Sequence, residues 1–325
     1  MSSPATTRAA IGMCFDRTFP PGFVTEVANR LDGGGADQLW VIEDCFYTAG
    51  VSLAATALAT TERLTVGIGI LPAVARNPAI TAMEIATLCE LAPGRFLPGI
   101  GHGVQSWMEQ MGARTPSPLT TLEETILAVR RLLAGENVTM HGRHVDLDDV
   151  QLDRPPSIVP PVLAGVRGPK SMQMAGQVAG GVVLAEPASP SYVTWALGQA
   201  GKRADDPTFH VAVFSALCIQ DDRESAFRIM APWLAGMLED PNVGFRALPF
   251  FDDLMARFTE HGVEGLVTMP AEWWIELAPV GTLDDAHAHV AALERAGVDS
   301  IGLFPAPEVD IARFQIDHVL AIARR

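Results

Sequence analysis

Positive charge is scarce in this chain: 23 Lys and Arg stand against 38 Asp and Glu, for a formal net charge of −15. There is no basic stripe to neutralise phosphates, so neither a nucleic-acid partner nor an anionic membrane surface is expected. Long apolar runs are also missing, since none reaches the ~18–20 residues that a membrane span requires. Only four cysteines occur, Cys14, Cys45, Cys89 and Cys218, far apart and without a C-x-x-C. That spacing suggests neither a zinc site nor a thioredoxin-type pair, and four buried thiols in a reducing cytosol are the expectation. The opening "MSSPATTRAA" lacks a long apolar segment, so no signal peptide is read and the expected setting is cytoplasmic.

Several catalytic signatures are absent too. No serine sits in a G-x-S-x-G elbow. His287 and His289, two apart on an expected helix, share a face poorly and make a weak metal pair. His141 and His144 fall in a stretch expected to be open to solvent. No metal site is expected, which disfavours a metal-dependent lyase or hydrolase.

What is present is a rhythm. Short, nearly continuous apolar runs end in glycine or an acid, and each is followed by a helical stretch. The runs fall at 9–15, 37–44, 64–71, 95–101, 161–166, 181–186, 209–219 and 298–305. Helix signals lie between them. Asn77–Pro78 supplies an N-cap and a proline at the first helical position, and Leu122, Ile126, Val129 and Leu133 recur at helical spacing. "DDRESAFRIMAPWLAGML" reads as the helix after strand seven. Residues 135–160 read as an irregular excursion, and 240–280 as inserted helices carrying Trp273 and Trp274, either as core or as a lid. Eight such units predict an α/β fold, a (β/α)8 TIM barrel forming one domain over 1–325 with an insertion near 240–280. A dinucleotide-binding open sheet would need G-x-G-x-x-G after the first strand, where "CFDRTFPPG" stands instead.

In a barrel the chemistry gathers at the carboxyl ends of the strands. Those positions hold Asp16, the pair Glu43–Asp44, Gly69–Ile70, Gly101–His102–Gly103, Arg167–Gly168 and Glu186. Adjacent carboxylates could hold a proton between them, or Asp44 could simply cap the next segment. "LAGVRGPKSMQMAG" places two glycines and a proline at a helix start with Arg167, Lys170 and Ser171 beside it. Free N–H groups and the helix dipole there suit a phosphate, although a plain Gly-Pro start would read the same. "GIGHG" offers a backbone that a flat ligand can approach closely, or an ordinary tight turn.

Four stretches together carry a family resemblance: "LWVIEDCFYTAG", "VGIGILPAVARNPAITAMEIATL", "LAPGRFLPGIGHG" and "VPPVLAGVRGPKSMQMAGQVAGGVVLAEP". The chain resembles the bacterial-luciferase-like superfamily, within it the oxidoreductases that use the deazaflavin coenzyme F420, such as methylenetetrahydromethanopterin reductase. The resemblance implies a non-proline cis peptide at Gly69–Ile70 against the central ring of the coenzyme. It puts a coenzyme contact at Glu43, further contacts at His102 and Gly103, and a phosphate loop spanning Gly165, Val166, Arg167, Gly168, Lys170 and Ser171. Relatives commonly form homodimers, and the partner otherwise implied is a small-molecule substrate.

The F420-dependent glucose-6-phosphate dehydrogenases carry a histidine where this chain has Asp44. They have a glutamate where Val104 stands, and a lysine near Glu186–Pro187. A sugar phosphate is therefore not expected, and Asp44, His102 and Glu186 are the candidates for proton transfer. The expected reaction is hydride transfer between F420 and an organic substrate, with residues 240–280 covering the substrate side. The alternatives are an FMN-dependent monooxygenase on the same barrel and a non-catalytic flavin carrier or sensor.

Overall fold

A computed structural model describes residues 8–324. Residues 1–7, which carry most of the stretch bearing on a leader, lie outside the described residues. Eight parallel strands close into a barrel in chain order. They are Ala10–Phe15, Gln38–Val41, Thr65–Pro72, Phe96–Gly101, Leu163–Gly165, Gly181–Leu184, His210–Ala216 and Ser300–Phe304. An outer ring of helices follows them, ending with Leu283–Arg295 and Val309–Ala323. The (β/α)8 expectation holds. Among the described residues no helix is long and apolar enough to cross a membrane.

The barrel closes because large and small side chains alternate inside it. Trp40 and Phe214 are buried there, with ring centroids 5.2 Å apart at 70°. Their bulk is matched by glycines. A Cβ on Gly67 would lie 2.2 Å from Trp40 Cε3, and one on Gly302 2.8 Å from Phe214 Cδ1. At the amino end of the strands a polar chain holds this layer in place. Trp40 Nε1 donates to Gln38 Oε1 at 2.9 Å and Gln38 Nε2 donates to Ser300 Oγ at 2.8 Å.

Three expectations need correction. The stretch 135–160 is not wholly irregular: Val138–His141 and Asp146–Val150 form an antiparallel hairpin. It docks through Glu124, whose carboxylate accepts from the backbone N–H of Arg143, His144 and Val145. The insertion begins earlier than residue 240. A short parallel ladder pairs Cys218–Ile219 with Val280–Gly281, and everything between them lies outside the barrel rhythm. Helix Arg223–Leu238 belongs to that insertion, and the seventh outer helix is Leu283–Arg295. The reason is its apolar pattern. Ala226, Phe227, Ala231, Leu234 and Leu238 build a separate core with Phe245, Leu254, Leu266 and Trp274 rather than packing on barrel strands. Trp274 stacks on Phe227 and Trp273 on Phe250, so both tryptophans serve the insertion's packing. Last, Cys14, Cys89 and Cys218 are buried but Cys45 is only half-buried, because the chain has left the sheet by then.

Adding a methyl at Gly67 forces Trp40 aside in a filled barrel. Gly67→Ala is expected to cost about 1–3 kcal/mol, read as a lowered urea midpoint. Gly236→Ala, in an exposed helix position where a Cβ meets nothing within 4 Å, should show no loss.

Candidate functional site

The site starts from a fault in the sheet. Strand three pairs with strand four as Val66↔Phe96, Gly67↔Leu97 and Ile68↔Pro98, then resumes at Leu71↔Ile100. Gly69 and Ile70 thus stand against Gly99 alone, a bulge that turns the backbone at the strand end. The Gly69–Ile70 peptide is cis, where the resemblance puts it. Cis bonds at Cys45–Phe46 and Glu186–Pro187 were not anticipated.

The glycines around this bulge have a different cause from the one read in the sequence. A Cβ on Gly165 would lie 2.5 Å from Ile70 Cγ2, and one on Gly101 2.9 Å from Ile70 Cδ1. At Gly99 it would lie 2.5 Å from the Ile68 carbonyl oxygen and 3.1 Å from Ile70 Cγ2. These glycines make the seat for Ile70. Only Gly103, with φ +69°, is required by its own backbone conformation.

Above the bulge opens a cavity of about 430 Å³. Its wall brings together Glu43, Asp44, Gly69, Ile70, His102, Gly103, Gly165, Val166, Arg167 and Glu186. Gly168, Lys170 and Ser171 are not part of that wall; they follow it directly at the start of helix Pro169–Val178. This helix has no side-chain cap at Gly168, and Ser171 Oγ donates back to the Gly168 carbonyl at 3.0 Å. Neither Arg167 nor Lys170 forms a salt bridge among the described residues, and both are exposed. The loop is pinned by Tyr192, whose buried hydroxyl donates to the Arg167 carbonyl at 3.0 Å.

The acids divide by their partners. Both oxygens of Glu43 are engaged: Oε2 accepts from the Gly50 N–H at 2.8 Å and from Arg76 Nη2 at 2.9 Å, while Oε1 accepts from Arg76 Nη1. Arg76 Nε also lies 3.2 Å from Glu84 Oε2, so strand ends two and three are tied by one cation. Asp44 Oδ2 accepts from Arg17 Nη1 at 2.8 Å. Arg17 in turn lies over the rings of Tyr47 and Trp107, 4.9 and 5.8 Å from their centroids.

Glu186 has no such cation in contact. Burial pushes its carboxyl above the usual carboxylate range; its own backbone N–H and Arg167 pull it back, and Asp16 and Asp44 push it further up. Its backbone is held by the insertion, since Asn242 Nδ2 donates to the Glu186 carbonyl at 3.3 Å. For His102, burial lowers the imidazole pKa and the Pro118 carbonyl partly offsets that. Its Nδ1 is buried and lacks a hydrogen-bond partner.

A larger cavity of about 790 Å³ adjoins the first. The two share Ile42, Asp44, Glu186 and Phe304. Its outer wall is Met230, Trp233 and Met237 of helix Arg223–Leu238, not residues 240–280, which pack behind that helix. Sequence reasoning missed Arg17, Trp107, Phe214 and Phe304 in these walls. Arg17, next to Asp16 at the end of strand one, was the member of this set with a visible signal. Among the described residues no group of three or more His, Cys, Asp or Glu side chains gathers as a metal site.

The luciferase-like monooxygenase family profile matches residues 3–300. The chain is 32% identical over 206 residues to the 5,10-methylenetetrahydromethanopterin reductase of Methanolobus tindarius, covering 62% of this chain and 63% of that protein, just under two thirds of its length. It is 25% identical over 292 residues to the Archaeoglobus fulgidus protein of the same name, covering 83% and 85%. Among solved structures it is similar to the coenzyme F420-dependent tetrahydromethanopterin reductase of Methanopyrus kandleri, with TM-score 0.77, 18% identity and 98% of each chain covered. That last likeness concerns the fold.

Gly165→Ala should destabilise the protein by about 1–3 kcal/mol by crowding Ile70. In an Ile70→Ala background the penalty should shrink by about 1 kcal/mol or more, a coupling read from a double-mutant cycle in urea. Strict additivity would show that Ile70 does not occupy this seat.

Proposed function

The chain belongs to the luciferase-like monooxygenase family, and we propose that within it this protein is an F420-dependent oxidoreductase acting on an organic small molecule. One observation carries the reading. The cavity at the Gly69–Ile70 bulge has Arg167 in its wall, directly before the uncapped start of helix Pro169–Val178, and shares Glu186 with a second, larger chamber. That is room for a flat ring with an anionic tail, and beside it a separate place for a substrate.

The residues fit such a group. Ile70, Val183 and Phe214 give an apolar floor, and His102, with Nδ1 unpartnered, stands in the same wall. The backbone N–H groups after Gly168, with Arg167 and Lys170, suit a phosphate. When bound, F420 supplies a carbon centre that gives or accepts a hydride. The chain's part is position, dryness and the proton. Glu43, fully engaged by Arg76 and Gly50, fixes the strand-two end instead of exchanging protons. Asp44, paired with Arg17, stays in its ion pair. His102 lines the smaller cavity only, whereas Glu186 faces both chambers without a cation in contact, and it is the group assigned to deliver a proton to, or take one from, a substrate oxygen or nitrogen. Ile42 and Phe304, shared by both cavities, limit water at the junction.

A homodimer is supported by Ile80, Met83 and Leu91, exposed along one helix face. A cytoplasmic setting is supported by four cysteines that are all free.

Fluorescence titration should give F420 at least tenfold tighter binding than FMN, and equal or preferential FMN affinity would overturn the choice of coenzyme. Gly168→Asp should weaken F420 at least tenfold while the protein stays folded, because a Cβ there meets only Ser171 Oγ at 3.9 Å.

The raised Glu186 pKa sets a sign for catalysis. In the direction that needs its proton, the rate should fall as pH rises through a value above the usual carboxylate range. Glu186→Gln should slow that direction by about 10²-fold or more and remove this limb of the pH profile. An unchanged profile in the variant would exclude Glu186 as the proton donor.

A further inference from the structure

We propose that the larger chamber selects its substrate by charge: it takes a predominantly apolar molecule whose polar end is neutral or cationic, and it turns away carboxylates and phosphates. This rests on placing the coenzyme in the smaller cavity only for the direction in which the substrate faces.

The apolar half comes from one helix. Met230, Trp233 and Met237, spaced three and four apart, present one stripe of helix Arg223–Leu238 to the chamber. The adjoining stripe, with Ala231, Leu234 and Leu238, is buried in the insertion's own core, and Met230, Trp233 and Met237 are half-buried against that core with their remaining surface turned to the chamber. Two methionines and an indole make a wall that adjusts to shape and grips flat or aliphatic bodies. Ile229 and Ile311 line the chamber yet are 56% and 49% exposed, so its opening is apolar too.

The polar half is acidic. Asp16, Asp44, Glu186 and Glu308 line the chamber against a single cation, Arg17. Arg17 is already committed, donating to Asp44 and lying over Tyr47 and Trp107. Gln315 is also occupied, its Oε1 accepting from the Ala306 N–H at 2.6 Å and its Nε2 donating to the Leu217 carbonyl at 3.0 Å. Among the described residues of this wall an entering anion finds no unpaired cation, and it meets like charge at the rim and at the base. A neutral hydrogen-bond acceptor, by contrast, can reach the Glu186 carboxyl, and an ammonium group is attracted by the acids.

The test uses three matched ketones: 4-phenylbutan-2-one, its para-carboxylate and its para-aminomethyl derivative. F420 binding is measured first by fluorescence, and the ketones are then titrated calorimetrically into the F420-loaded protein. The neutral and cationic ketones should bind, and the carboxylate at least tenfold more weakly. Met230→Lys should improve the carboxylate at least fivefold while weakening the aminomethyl compound. That gain of binding cannot come from misfolding. Carboxylate binding as tight as that of the neutral ketone, failure of all three to bind, or no response of the carboxylate to Met230→Lys would each overturn the proposal. Should F420 itself fail to bind, the coenzyme reading falls on that measurement alone. The same three titrations into the free protein would then decide the chamber's selectivity separately.

Discussion

The seat of one side chain governs this molecule. Ile70 sits on the bulge of strand three, and three neighbouring positions are glycine so that it fits: Gly99, Gly101 and Gly165. Strand four can approach only because two of its residues lack side chains, and the fifth strand ends in glycine for the same reason. The residues beyond those strand ends, His102 and Gly103 on one side and Val166 and Arg167 on the other, inherit their positions from that packing. The cavity above is therefore framed by a steric agreement among three strands, reached before any ligand is considered.

Charge is arranged around that frame in a graded way. Glu43 is locked by a guanidinium and an amide, Asp44 is held by one guanidinium, and Glu186 has no cation in direct contact. Three carboxylates at the barrel mouth, two after strand two and one after strand six, thus stand in three different settings: fastened, paired and without a cation partner. What separates them is the distribution of Arg76 and Arg17 in a chain short of bases. With few cations available, each one placed determines the character of the acid beside it.

Much of this was legible in the sequence. Buried parallel strands are apolar throughout and end in glycine or acid, so the eightfold rhythm and the strand-end residues could be read directly. The glycines at 99, 101 and 165 were visible as well, but their cause was misread, because the side chain they accommodate comes from another strand. Helix Arg223–Leu238 was found and then misplaced. Its spacing announces a helix with an apolar face, but spacing does not tell which core that face joins. The hairpin at Val138–Val150 escaped because its strands are short and largely exposed, and the contact that anchors it is a distant carboxylate, Glu124. Arg17 and Trp107 meet only once the loops are folded over the barrel mouth. Long-range pairings of that kind leave no local periodicity.

The short ladder between Cys218–Ile219 and Val280–Gly281 has a wider meaning. It brings the two ends of the inserted segment side by side where they leave and rejoin the barrel, so the segment hangs from the scaffold like a cartridge from its socket. Barrel and segment meet a second time at the mouth, where Asn242 reaches back to the Glu186 carbonyl, so the wall of the larger chamber is assembled from both pieces at once.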